Sequence, residues 1–365
     1  MKARPPLYVG AEIYSRTAFP PSHPLAIPRA GAVEAMCRAL GWLDGAYVTS
    51  PVASVAELRR YHDADYVEAV ARADREQRLD EADRARYQLG VSANPIFPGM
   101  FLRASTAVGG SLAAARLAFE GRIVFHPPGG THHGGKARAS GFCFFNDPVF
   151  AILEFLRLGA ARVAYVDFDA HHGDGVEDAF ADDARVMTIS VHQADLWPRT
   201  GRLSDRRGGG ARNMPVPRGL NDNEFALLVG EAVLPLLRGF APEALVVLVG
   251  ADALAGDPLA KLALSNGALG RAVETVAALA SPVVVLGGGG YNPWNVVRCW
   301  AGLWARLAGF AIPEPLPEAA RAALAGLWSD RVREIDPAWL TTLADPPRGG
   351  PVRGEIREIV AASLA

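Results

Sequence analysis

The sequence is poor in cysteine, in net charge and in long apolar runs. Only three of its 365 residues are cysteine, Cys37, Cys143 and Cys299. They lie too far apart to suggest a disulfide framework or a zinc knuckle, which points to a reducing compartment. Basic and acidic residues nearly cancel, 37 Lys and Arg against 39 Asp and Glu, so there is no electrostatic basis for binding nucleic acid or an acidic membrane surface. No apolar run approaches the roughly 18 residues of a membrane span, and the start MKARPPLYVG lacks the apolar stretch of a signal peptide. A cytoplasmic protein is expected. Internal repeats, coiled-coil heptads and low-complexity linkers are also missing, which leaves a globular enzyme as the simplest class.

Half of the chain is hydrophobic, enough for a large buried core. Short β-branched runs at 7–13, 122–126, 162–167, 185–191, 244–250 and 282–286 read as strands. Most are apolar on both faces, as in a sheet covered by helices on both sides. Helical patterns at 30–40, 64–73, 105–119, 148–158, 222–238, 266–280 and 293–307 alternate with them. Several open on Ser, Asn or Asp, as an N-cap requires. Alternation predicts a single α/β domain with a doubly wound parallel sheet. The Gly-, Pro- and Arg-rich stretches 197–218 and 345–353 read as surface loops.

In such a sheet ligands bind beyond the carboxyl ends of the strands, and here the segments after the strands are chemically loaded. The run at 163–180, VAYVDFDAHHGDGVEDAF, places three carboxylates and two histidines within eight positions. Strand alternation puts Asp167, Asp169 and His171 on one face, where they can converge. Carboxylate and imidazole donors suit a borderline ion such as zinc, whereas capping the next helix would need one acid only. PPGGTHHGG, with His132 and His133, comes after the strand at 122–126; GADALAGDP, with Asp252, after 244–250; GGGGYN, with Tyr291, after 282–286. Each has a dull reading alone, as a turn histidine pair, a helix cap or a loop tyrosine. Together they fall on one edge of one sheet. Asp169, His171 and Asp252 would hold an ion with room for water and a carbonyl. His133 or His132 would move protons, with Asp174 and Asp167 as candidate supports, and Tyr291 would donate to an oxyanion. The predicted class is metal-assisted amide hydrolysis.

Four segments, HHGGKARASGFCFFND, VDFDAHHGDGVEDAF, VGADALAGDPL and LGGGGYNPWNVVRCW, resemble the class I branch of the zinc-dependent histone deacetylase family. Weaker likeness extends the match to about 7–307. The PVRGEIREIV tail looks like the bacterial acetoin-utilisation deacetylases, and 308–365 is expected to pack on the core as an extension. The resemblance implies an arginase-like α/β fold in a single domain. It implies zinc on Asp169, His171 and Asp252, with iron(II) or cobalt as alternatives. It also implies a His132–His133 pair supported by Asp167 and Asp174, with Tyr291 stabilising the transition state. A further implication is an acyl-lysine tunnel walled by Gly141, Phe142 and Trp197, with Leu259 and Gly289 near its inner end. Two potassium or sodium sites are implied as well, one at Asp167, Asp169, His171, Ser190 and Val191, the other at Phe180, Asp183 and Val186.

One departure bears on substrate. Family members of this branch carry a rim aspartate where the alignment places Ala93, so the clamp on a peptide backbone is missing. Acetylated protein and a small acylated amine, such as an acetylpolyamine, both stay open as substrates. The intact Tyr291 argues against a binding-only protein, and the lack of a paired D-x-D at Asp252 argues against a binuclear ureohydrolase. The sequence does not specify the oligomeric state.

Overall fold

A computed structural model describes residues 4–365; the first three positions of the MKARPPLYVG start lie outside them. Eight strands form one all-parallel sheet: β1 (Leu7–Gly10), β2 (Tyr47–Thr49), β3 (Ile123–His126), β4 (Val163–Asp167), β5 (Val186–Gln193), β6 (Ala211–Val216), β7 (Ala244–Leu248) and β8 (Val283–Leu286). Their order is β2-β1-β3-β8-β7-β4-β5-β6. The central strands are apolar throughout, ALVVL in β7 and VVVL in β8, and buried at every position. They can be so because helices cover both faces of the sheet. One apolar cluster includes Trp300, Trp304 and Leu237; the other includes Val149, Ile152 and Phe155.

Helix starts reflect local chemistry. The Ser265 side chain accepts from the Ala268 N–H, Asn146 accepts from Val149, and Asn221 with Glu224 forms a capping box. The helix Pro293–Ala308 has proline at its first position and ends on Gly309 in the left-handed region, φ 75°. The segment expected as one helix over 222–238 is helical without a break over 222–240, with a wide turn in its middle where the Leu234 N–H reaches back five residues to Val229. Pro235, which has no N–H to give, comes next.

Two expectations need correction. The strand expected over 7–13 stops at Gly10 and gives way to a tight helical turn, Glu12–Ser15. The stretch 197–218, expected to be a surface loop, contains β6. β6 is an edge strand, the one place where its Pro215 is tolerated. The helix Gly354–Leu364 lies against it, and Arg353 clamps Glu224 through two nitrogens, each at 2.6 Å. The residues after 307 thus cover an edge that would otherwise be open to pairing. No helix among the described residues is long and apolar enough to cross a membrane.

Candidate active site

The four loops that the sequence marks as chemical extend from β3, β8, β7 and β4, which are contiguous at the centre of the sheet. Their carboxyl ends therefore share one crevice. Asp169 and His171 lie just after β4, and Asp252 lies in the turn Ala251–Ala253 after β7. One donor atom from each of the three falls within 4.8 Å of the others, and all three residues are buried. His171 Nδ1 is 3.1 Å from Asp169 Oδ1 and 2.9 Å from Asp252 Oδ2. The second oxygens are held as well: Asp169 Oδ2 accepts from the Gly289 N–H at 2.6 Å, Asp252 Oδ1 from the Ala170 N–H at 3.1 Å. Gly289 has to be glycine, since a Cβ there would stand 2.1 Å from Asp252 Oδ2.

Burial alone would lower the His171 pKa, but hydrogen bonds to Asp169 and Asp252 outweigh it and push it up to about 10. Burial and the Asp169 charge raise Asp252. The donors of the cluster fit a zinc ion, whose bonds of about 2.0–2.2 Å to oxygen and nitrogen bring ligand atoms to within a few ångströms of each other.

The histidine pair lies in the loop after β3, its rings 3.9 Å apart. Asp147 ties the loop down by accepting from the N–H groups of Gly130 and Thr131 at 3.0 and 2.7 Å. His132 Nδ1 is 2.8 Å from Asp167 Oδ2, which also accepts from the Tyr165 hydroxyl at 2.6 Å. His133 Nδ1 is 2.7 Å from Asp174 Oδ1. The two dyads titrate apart. Burial would lower His132, but Asp167 and Asp169 raise it to about 9; burial and the His132 charge lower His133 to about 4. At neutral pH one ring is charged and its neighbour is a free base. Burial, then Asp252, drives the Tyr291 pKa far upward, so its phenol keeps its proton. That hydroxyl lines the cavity, and none of its hydrogen bonds goes to a described residue.

Above the histidines Gly141 and Phe142 both adopt positive φ, 51° and 71°. A Cβ on Gly141 would strike Trp197 and His133. Trp197 meets the His133 ring edge-on at 4.7 Å, and Phe142 meets Tyr291 at 6.0 Å. The Leu259 N–H is tied to Asp257 Oδ1 at 2.8 Å. Asp167 and Ser190 pair across β4 and β5, with Val191 next in line; Phe180, Asp183 and Val186 are joined in one turn by the Asp183 N–H to Phe180 and Val186 N–H to Asp183 bonds. The Ala93 carbonyl is bound by His23 at 3.2 Å, while Asn94 accepts from the Phe142 N–H.

Three residues escaped sequence reasoning. Asp147 supports the histidine loop from the next helix. Asp257 accepts from the Tyr291 N–H at 2.7 Å, and burial, then Asp252, raises its pKa to about 7. Arg29 donates to the Gly288 carbonyl. The two acids stand in the motifs GFCFFND and ALAGDPL, where proximity to the histidine and aspartate loops is a signal; Arg29 gives none.

The histone deacetylase domain family matches residues 23–307. The chain belongs to the histone deacetylase family. It is 36% identical over 299 residues to "Histone deacetylase 8" of Xenopus tropicalis, 80% of either chain, and 36% identical to "Histone deacetylase 1" of Homo sapiens, over 73% of this chain and 56% of that one. The crystal structure of a histone deacetylase homologue from Aquifex aeolicus superposes with a TM-score of 0.94 at 34% identity, covering 99% of this chain and all of the other. The family's arginase-type α/β fold is therefore the fold of this chain.

Proposed function

We propose that this protein is a zinc-dependent deacetylase that hydrolyses the amide of N-acetyl-lysine in a protein or peptide. The observation that carries the reading is a convergence at one cavity wall. Asp169 of the three-donor cluster, two carboxylate-backed histidines and an unpaired phenol all line it. Zinc on Asp169, His171 and Asp252 supplies Lewis-acid polarisation of the carbonyl and a more acidic water. His133, the neutral ring, accepts the water's proton at Nε2 and later returns it to the leaving nitrogen. Asp174 on its Nδ1 fixes the tautomer and raises basicity. His132, charged and held by Asp167, and Tyr291 through its hydroxyl, donate to the oxyanion. Gly141, Phe142 and Trp197 flank the lysine stem. Potassium or sodium belongs beside the Asp167–Ser190 pair and in the Phe180–Val186 turn.

A second reading, hydrolysis of a small acylated amine, is favoured by the rim. Ala93 offers no carboxylate, and among the described residues Asp169 is the one acid that lines the cavity. A peptide backbone would lose charge-assisted hydrogen bonds here, whereas a small amine loses none. Measuring kcat/KM on an acetyl-lysine peptide and on N-acetylputrescine, in wild type and Ala93→Asp, separates the two. The protein reading expects the peptide to lead in wild type. A lead for N-acetylputrescine, reversed by Ala93→Asp, would replace it with the second.

A further inference from the structure

Tyr291 needs a fixed orientation to act, and its surroundings supply little of it directly. Four glycines at 287–290 precede it, with no side chains to pack. Gly290 adopts φ 137°, a conformation that side chains rarely allow. Tyr291 lines the cavity, its hydroxyl makes no hydrogen bond to a described residue, and its neighbouring rings stand edge-on, Phe142 at 6.0 Å and His171 at 6.3 Å. The firm tie is at the backbone. The Tyr291 N–H donates to Asp257 Oδ2 at 2.7 Å. Asp257 belongs to the loop after β7, the same loop that carries Asp252. Two more bonds stitch this strap to the segment after Tyr291: Asn292 Nδ2 donates to the Gly256 carbonyl at 3.3 Å, and Asn295 Nδ2 to the Ala255 carbonyl at 3.0 Å.

An acid is an expensive choice at this place. Asp257 is 3% exposed, and burial, then the Asp252 charge, pushes its pKa up to about 7. One of its two bonds needs no acid. Oδ1 accepts from the Leu259 N–H at 2.8 Å, two residues on, an Asx turn that asparagine makes equally well. Asparagine, however, has a single acceptor oxygen, so it serves the turn or Tyr291 and leaves the other N–H facing a donor. The second oxygen is what aspartate adds, and it is spent on Tyr291. We propose that Asp257 is a positioning residue for Tyr291, holding the tyrosine backbone so that the phenol stands where the oxyanion develops. The inference rests on the amide-hydrolase reading and adds a residue that acts on the transition state through another. A donor fixed before the reaction needs no reorganisation during it, which is what makes such donors effective.

The test is a double-mutant cycle on hydrolysis of an acetyl-lysine peptide by the holoenzyme: wild type, Asp257→Asn, Tyr291→Phe and the pair together. Asp257→Asn preserves the side-chain shape. It should lower kcat by about 10–100-fold, the scale of a misplaced reacting group, with KM and zinc content at their wild-type values. On the Tyr291→Phe background the same change should cost less than about 2-fold, because no hydroxyl is left to place. An aspartate that only supports the fold would cost the same on both backgrounds, so equal losses overturn the proposal. Wild-type kcat in Asp257→Asn overturns it, and so does loss of zinc along with rate, since the effect would then run through Asp252. If Asp257→Asn does not fold, Asn295→Ala unties the same strap at Ala255 and goes through the same cycle. A loss of kcat confined to the Tyr291 background supports the proposal; no loss, or equal losses, overturns it. Each contrary result, with wild type active, overturns this inference alone. A wild type that hydrolyses no acetyl-lysine peptide overturns the deacetylase reading and this inference with it.

Discussion

The strand-end cluster and the arginines of the cavity wall treat charge in opposite ways. At the cluster every ionisable group that moves a proton or donates to an ion has a partner: His132 has Asp167, His133 has Asp174, and His171 lies between Asp169 and Asp252. Arg29 and Arg103, which also line the cavity, have carbonyls and aromatic rings as direct partners and no carboxylate within hydrogen-bond reach among the described residues. Paired groups are oriented in advance, which chemistry on a small bond requires.

The pairing can be broken most severely at His133. His133→Ala should lower kcat by about 10²–10⁴-fold, the usual contribution of a general base, with metal content unchanged. Loss of metal together with rate would mean that the ring helps to assemble the ion site instead. Tyr291, the one unpaired group of the cluster, should matter only once charge develops. Tyr291→Phe should cost about 10²–10³-fold in kcat and leave KM near its wild-type value. A rise in KM with kcat intact would make the tyrosine a ground-state contact.

The gentlest break lies outside the site, where Glu154 is the reverse of the arginine pair: one buried acid among three cations. Burial alone would raise its pKa, but Arg157, Arg116 and Arg60 outweigh that and hold it at about 2, below the ordinary 4.5. A depressed acid stabilises the fold fully above its unfolded pKa and loses that contribution as pH falls toward the folded one. The Tm advantage of wild type over Glu154→Gln should therefore shrink from about pH 6 to about pH 3. A constant advantage across that range would show that packing, not charge, makes the difference.

The same contrast explains what could be read in advance. The central strands β7 and β8 are nearly pure runs of Val and Leu, ALVVL and VVVL, β4 is VAYVD, and the loops after all three carry chemically conspicuous residues. β6 was hidden because ARNMPV carries Arg212 and Pro215, which an edge strand tolerates and a central one does not. β2 was hidden by its length of three residues. Leu259 rests on family resemblance alone, since a leucine in a loop carries no chemical signature of its own; its N–H is held by Asp257. Arg29 had no local signature at all, because what it touches, the Gly288 carbonyl and the Trp300 ring, lies far along the chain.

One ion on Asp169, His171 and Asp252 is the centre on which amide hydrolysis depends. Zinc titrated into chelator-stripped protein, with acetyl-lysine hydrolysis measured at each addition, tests this most directly. No activity is predicted before addition, then a linear rise that breaks at one zinc per chain. Full activity in the stripped protein, or a break at two, would contradict it.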